Sequence, residues 1–153
     1  MKKIIYIDMD GVLVDFKSGI DKLDEKTRIK FKNDMDEVPG IFSLMEPYPK
    51  AIESIHKLSK IYDLYILSTA PWLNPSAWKD KIDWIHKYFG KKKDSLLYKR
   101  LILSHNKNLN FGDYLIDDRD ANGAGEFKGE LILFRGPKFP DWNAVTDYLL
   151  LRK

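Results

Sequence analysis

Cysteine is absent from the 153 residues. Disulfides and thiolate metal centres are excluded with it. Long apolar runs are missing too, and nothing approaches the ~20 residues that span a bilayer. The apolar stretch after Lys2 and Lys3 is broken by Asp8 and Asp10, which rules it out as a signal-peptide core. Cytoplasm is the expected compartment, with no membrane contact. Charge of one sign is scarce: 26 Lys and Arg against 23 Asp and Glu leave a net charge of +3. The basic residues are interspersed with acidic ones, apart from Lys91-Lys92-Lys93, which follows Gly90 and reads as a solvated loop. A dedicated nucleic-acid binder would gather them on one face, so no stable nucleic-acid partner is expected. His56, His86 and His105 are isolated and read as surface or packing residues.

The chain is otherwise ordinary for a globular protein, 44% hydrophobic and 32% charged, with a generous aromatic share of 13%. Its length suits one domain with a real core, over 1–153. Residues 3–8 (KIIYID) read as a strand apolar on both faces, as a central parallel strand should be. Similar runs follow at 63–68, 100–104, 113–117 and 130–135. Helical patterns lie between several of them. Residues 49–60 carry Ile52, Ile55 and Leu58, with Pro49 suited to the first turn. Residues 75–89 carry Trp78, Ile82, Ile85 and Phe89, with Asn74 as N-cap and Pro75 at the first helical position. A last helix is expected over 141–151. Alternating strands and helices imply an α/β fold with a parallel sheet of about five strands. Segment 17–46 breaks the alternation. It is rich in Lys, Asp and Glu and reads as a small, mostly helical insertion after the first strand.

Ligands of open parallel sheets bind at the carboxyl ends of the strands. The first strand here ends in Asp8-Met9-Asp10-Gly11, the second in Ser68-Thr69 and the fourth in Asp117-Asp118, with Lys107 soon after the third. Acids converging on one point repel each other unless a cation lies among them, and hard oxygen donors suit Mg²⁺. One carboxylate of such a set can touch the metal and attack phosphorus while another serves as general acid and base. Gly11 allows a tight turn and leaves backbone N–H groups open to phosphate oxygens. Ser68 and Lys107 can hold the remaining oxygens, and Thr69 is a further phosphate-binding candidate. Taken alone, Ser68 and Thr69 could equally cap the next helix. Lys99 competes with Lys107 for the charged role. A calcium loop is opposed by the preceding strand and by Val12 and Val14.

DMDGVLVD, LST, a lysine and IDDR, in that order, resemble the motifs of the haloacid-dehalogenase-like (HAD) phosphatases. DMDGVLVDF, EPYPKA, LSTAPW, HNK and LIDDRDANG are similar to the 5′(3′)-deoxyribonucleotidase family, including its bacterial members, across nearly the whole chain. The resemblance implies a HAD-like Rossmannoid three-layer fold with a small cap at 17–46. It implies a Mg²⁺-dependent phosphatase acting on a nucleoside monophosphate through an aspartyl-phosphate. Asp8 matches the nucleophile, and Asp10 the acid/base that also offers its backbone carbonyl to the metal. Asp118 matches the metal ligand of the last motif, with Asp117 in support. Ser68 and Lys107 match phosphate-binding positions, with Lys107 at the family's spacing, and Phe16 an aromatic that packs on the base. Phe42 and Trp72 are further candidates for the base pocket. The insertion is shorter than the helical cap of the mammalian enzymes. A phosphatase for another small ester, such as a sugar phosphate, and a non-catalytic binding module on the same fold are the alternatives.

Overall fold

The structure, a computed structural model, describes residues 1–152. Its centre is β1 (Ile4–Ile7), where Ile5 and Ile7 are completely buried. Such a strand is stable only with neighbours on both edges and cover on both faces. Its edges pair in parallel with β4 (Asp63–Ser68) and β6 (Tyr114–Asp117). β5 (Leu101–Leu103) and β7 (Glu130–Leu133) extend the sheet outward, giving the order β5-β4-β1-β6-β7. This is the expected five-stranded parallel α/β sheet.

The larger core lies on one face. There α3 (Ala51–Leu58), α4 (Pro75–Phe89) and α5 (Trp142–Leu150) pack against Ile5, Ile7 and Ile66. Tyr6, Leu67 and Leu115 point the other way and are closed over by Ala124 and Phe127, at a 3-10 turn over Ala124–Glu126. Tyr6 meets Phe127 edge to face at 6.0 Å.

Three helix details differ from expectation. The buried stripe of α4 runs Ala77, Lys81, Trp84, Ile85 and Phe89, so Trp78 is 39% exposed and a lysine occupies the inner face. Asn74 stands at the N-cap position of α4 without making a side-chain cap. Its Nδ2 donates instead to Asp36 O at 2.8 Å and Val38 O at 3.1 Å, both in segment 17–46. Pro49 lies ahead of α3, which starts at Ala51 after a left-handed Lys50.

Segment 17–46 leaves the core through β2 (Val14–Asp15) and returns through β3 (Glu46–Pro47), which pair antiparallel. Between them are α1 (Phe16–Ile20), α2 (Glu25–Lys30) and 3-10 turns over Met35–Glu37 and Ile41–Ser43. Asp15 caps α1 by accepting from Lys17 N. Val38, Ile41, Phe42 and Met45 are buried, and α4 holds the segment through Ser76 Oγ to Gly40 N–H and Trp84 Nε1 to Met45 O.

Candidate active site

β1, β4 and β6 are neighbours that all end at one rim of the sheet, so their last residues converge. Asp8 directly follows β1, and its N–H still donates to Ile116 O at 2.9 Å. Ser68 closes β4 and Asp117 closes β6; all three are buried. After Asp8 the chain turns tightly, with Val12 and Val14 N–H both donating to Met9 O, and Trp142 Nε1 gripping Val12 O. Gly11 makes this turn possible. It has a φ of 79°, a left-handed value that side chains resist. A Cβ there would also lie 2.2 Å from Asp118 Oδ2, so the missing side chain is the space that carboxylate fills. Gly11's own N–H is donated to Val14 O at 2.9 Å, inside the loop.

Lys107, on a 3-10 turn over Lys107–Leu109, is the buried cation of the site. Its Nζ lies 3.1 Å from Asp8 Oδ1 and donates to Asp117 Oδ2. Burial pushes the Asp8 carboxyl up from the usual 3.8, Lys107 pulls it down, and Asp117 and Asp10 push it up again, to about 7 in all. Burial raises Asp117 as well, against the pull of Lys107. Burial works downward on Lys107, but the two facing carboxylates outweigh it and its pKa is raised. Lys99, the competing lysine, is exposed, with its Nζ 5.5 Å from the Tyr98 ring.

The sequence reading missed a second buried cation. Lys81, with no exposed surface, places Nζ 2.7 Å from Asp10 Oδ2 and 2.9 Å from Ser68 Oγ. The same nitrogen lies 4.4 Å from the centre of the Phe42 ring. Ser68 is therefore turned toward Lys81, while Thr69 donates its hydroxyl to Ser104 O and lines the cavity. Arg135 was missed too: its Nη2 donates to Asp118 Oδ2 at 3.2 Å.

The donor set suits a divalent cation on several counts. Asp8, Asp117 and Asp118 bring carboxylate oxygens within 4.8 Å of one another, and no sulfur or nitrogen ligand is among them. Asp118 Oδ1 is buried without a hydrogen-bond partner. A cavity of about 20 Å³ lies among Asp8, Asp10, Lys107 and Asp117, room for about one water-sized particle. Both Asp117 oxygens are engaged, by Lys107 Nζ and by Arg119 N–H, so Asp117 backs the others.

A larger cavity of about 810 Å³ opens above this cluster. Asp10, Gly11, Asp118 and Arg119 form its floor, with Phe16, Met35, Phe42 and Trp72 among its apolar walls. Phe16 meets Phe42 edge to face at 5.8 Å, so it belongs both to the packing of segment 17–46 and to the cavity. Trp72 is 77% exposed. His105 sits between Trp72 and Trp78 and also lines this cavity, with Nε2 buried and without a hydrogen-bond partner.

Residues 31–144 match the family model described as "5' nucleotidase, deoxy (Pyrimidine), cytosolic type C protein". A Vibrio phage KVP40 protein provisionally named a 5′(3′)-deoxyribonucleotidase is 56% identical over 97% of this chain and 85% of its own. The human protein named 5′(3′)-deoxyribonucleotidase, cytosolic type, is 25% identical over 76% of this chain and 71% of its own. Among solved structures, a haloacid dehalogenase-like hydrolase from Streptococcus pneumoniae superposes with a TM-score of 0.55 at 19% identity, covering 96% of this chain and 90% of that one. A HAD-superfamily hydrolase from Geobacter sulfurreducens gives 0.58 at 11% identity, covering 97% and 96%.

Proposed function

Because the chain belongs to the 5′(3′)-deoxyribonucleotidase family and has a HAD-like fold, we propose that it is a Mg²⁺-dependent phosphatase of nucleoside monophosphates, deoxyribonucleotides favoured, working through an aspartyl-phosphate at Asp8. The observation that carries this reading is the meeting of Asp8, Lys107, Asp117 and Asp118 beneath a cavity that is acidic at its floor and aromatic on its walls.

Each residue takes a part that its surroundings allow. An Asp8 oxygen attacks phosphorus, and the bond from phosphorus to the leaving oxygen breaks as the new one forms. Asp10 gives its proton to that leaving oxygen. Lys81 holds Asp10 Oδ2, so the proton is assigned to Oδ1, which has no partner. In the second half Asp10 takes a proton from water, the water oxygen attacks phosphorus, and the bond to Asp8 breaks. Inorganic phosphate leaves and both carboxyls return to their starting states. Lys107, with Thr69 nearby, offsets charge on the phosphoryl oxygens. Bound by Asp8, Asp118 and the Asp10 backbone carbonyl, with Asp117 behind them, Mg²⁺ would neutralise phosphoryl charge during transfer.

Segment 17–46 acts as a small cap. Phe16, Phe42, Met35 and Trp72 offer a planar base an apolar wall, which is why a nucleoside is favoured over a sugar phosphate. The reaction is assigned to the cytoplasm, consistent with the name of the human relative; among the described residues no helix is long and apolar enough to cross a membrane. The test is a hydrolysis panel in Mg²⁺ and in EDTA: 5′ and 3′ nucleoside monophosphates, ribo and deoxy, sugar phosphates and p-nitrophenyl phosphate. Deoxyribonucleotides should turn over best, and only with Mg²⁺. Faster turnover of sugar phosphates would reassign the substrate, and no turnover at all would leave a binding module.

A further inference from the structure

We propose that Arg135 is a positioning residue for the cation site: it pins one oxygen of Asp118 so that the other faces the ion. The inference rests on the reading of Asp118 as a metal ligand.

Arg135 follows β7 in a turn closed by Gly136 N–H to Leu133 O, and its own N–H donates to Phe139 O at 2.8 Å. Its φ is 62°, in the left-handed region where a side chain crowds its own backbone. Glycine would meet that demand without strain, yet an arginine holds the position. Lys50, Lys99 and Asn122 share that region, so the contacts of the Arg135 side chain, not its dihedral, carry the assignment. The guanidinium reaches Asp118 Oδ2 at 3.2 Å, and its carbon lies 5.5 Å from the centre of the Tyr48 ring. Tyr48 is itself set edge to face against Phe134, so one flank of the guanidinium meets a packed wall.

The two oxygens of Asp118 are therefore unequal. Oδ2 fills the space left by the missing Gly11 side chain and accepts one hydrogen bond, from Nη2 of the half-exposed Arg135. Oδ1 is buried, makes no hydrogen bond, and belongs to the carboxylate that meets Asp8 and Asp117. Arg119 does not do this work, since its Nε stands 4.0 Å from Oδ1 and its side chain is 67% exposed. A hydrogen bond to the second oxygen of a metal carboxylate fixes the first, and losing such a partner commonly costs ~10–100-fold in metal affinity. Charge alone predicts the opposite sign. A fixed cation beside the site repels another cation, so its removal would tighten binding.

The experiment uses the full chain stripped with EDTA. Mn²⁺ is titrated and followed by water proton relaxation, with Mg²⁺ as competitor, for wild type, Arg135→Gly, Arg119→Gln and Asp118→Asn; melting of each metal-free protein is recorded alongside. Arg135→Gly should bind Mn²⁺ about tenfold or more weakly while melting no lower than wild type, because glycine takes the left-handed turn freely. Arg119→Gln should bind as wild type or slightly tighter. The proposal is overturned if Arg135→Gly binds as well as or better than wild type, if it melts well below wild type, or if Arg119→Gln loses as much affinity. Asp118→Asn separates the two readings. If it keeps wild-type affinity, Asp118 is not a ligand and both fall; if it loses affinity and Arg135→Gly does not, Arg135 alone falls.

Discussion

Lys81 has no exposed surface and two polar partners, Asp10 and Ser68. Removing one member of a buried ion pair strands the other, at a cost of ~3–5 kcal/mol when both are fully buried. Asp10 is 22% exposed, so Lys81→Met should cost about 3 kcal/mol, the low end of that range. It should also lower kcat by ~10²-fold or more, since Asp10 loses the contact that orients it. Adding Asp10→Asn should recover melting temperature but not activity; a single variant with near-normal kcat would remove Lys81 from the mechanism. Asp8 gives a second test. Its carboxyl ionises near 3.8 in the unfolded chain and near 7 in the folded one. Between those values the unfolded state holds fewer protons, so raising the pH lowers stability. Asp117, raised by burial as well, adds to this slope with the same sign, so removing Asp8 lessens it without abolishing it. The metal-free protein should melt lower at pH 7.5 than at pH 5.5, and Asp8→Asn should reduce that slope while abolishing turnover. An unchanged slope would show that Asp8 is not the buried proton. The acids and Gly11 were legible because they stand at the ends of apolar strand runs, whereas only the resemblance to the family's spacing singles out Lys107 over Lys99. Lys81 and Arg135 were not legible. Lys81 acts on a partner 71 residues away, and only its place on the inner stripe of α4 could have flagged it. Arg135 was visible merely as the end of a strand.

The bond between α4 and segment 17–46 is the clearest feature at the scale of elements. Asn74 looks in sequence like a helix cap, which is a local role, but two carbonyls of the insertion claim its amide. Asn74→Ala should leave Asp36 O without its partner, while Val38 O keeps the bond from Ile41 N–H, at a cost of ~1–3 kcal/mol. The loosened segment should raise KM for a nucleotide more than it lowers kcat, and amide exchange over residues 35–45 should quicken. Equal protection in the variant would mean the tether is not what orders the segment. The strands were readable because apolar runs of four to six residues have few other uses. The second half of the α4 stripe, Ile85 and Phe89, follows the expected pattern, whereas in its first half Ala77 and Lys81 take the inner places expected of Trp78 and Ile82. The insertion had little pattern to read, since α2 buries none of its residues.

At the scale of the molecule, a divalent cation held by the three acids gathered at one rim would be tied to folding. A ligand present at about 100 times its dissociation constant adds ~2.7 kcal/mol to stability, or roughly 5–10 °C in a domain of this size. Melting should therefore rise by that much in saturating Mg²⁺ and fall back in EDTA. A melting temperature indifferent to Mg²⁺ would take the cation out of the fold. The overall architecture was legible because β1, buried on both faces, needs parallel neighbours and helices to cover it. The two-residue ladder of Val14–Asp15 with Glu46–Pro47 has a consequence for descent. The insertion departs and rejoins at adjacent points, so its length is nearly free: doubling a loop costs only ~0.6 kcal/mol in closure. A lineage could lengthen, shorten or graft this segment while Asp8 and Asp118 stayed where the sheet puts them. Substrate taste and phosphate chemistry would then be inherited as separate traits.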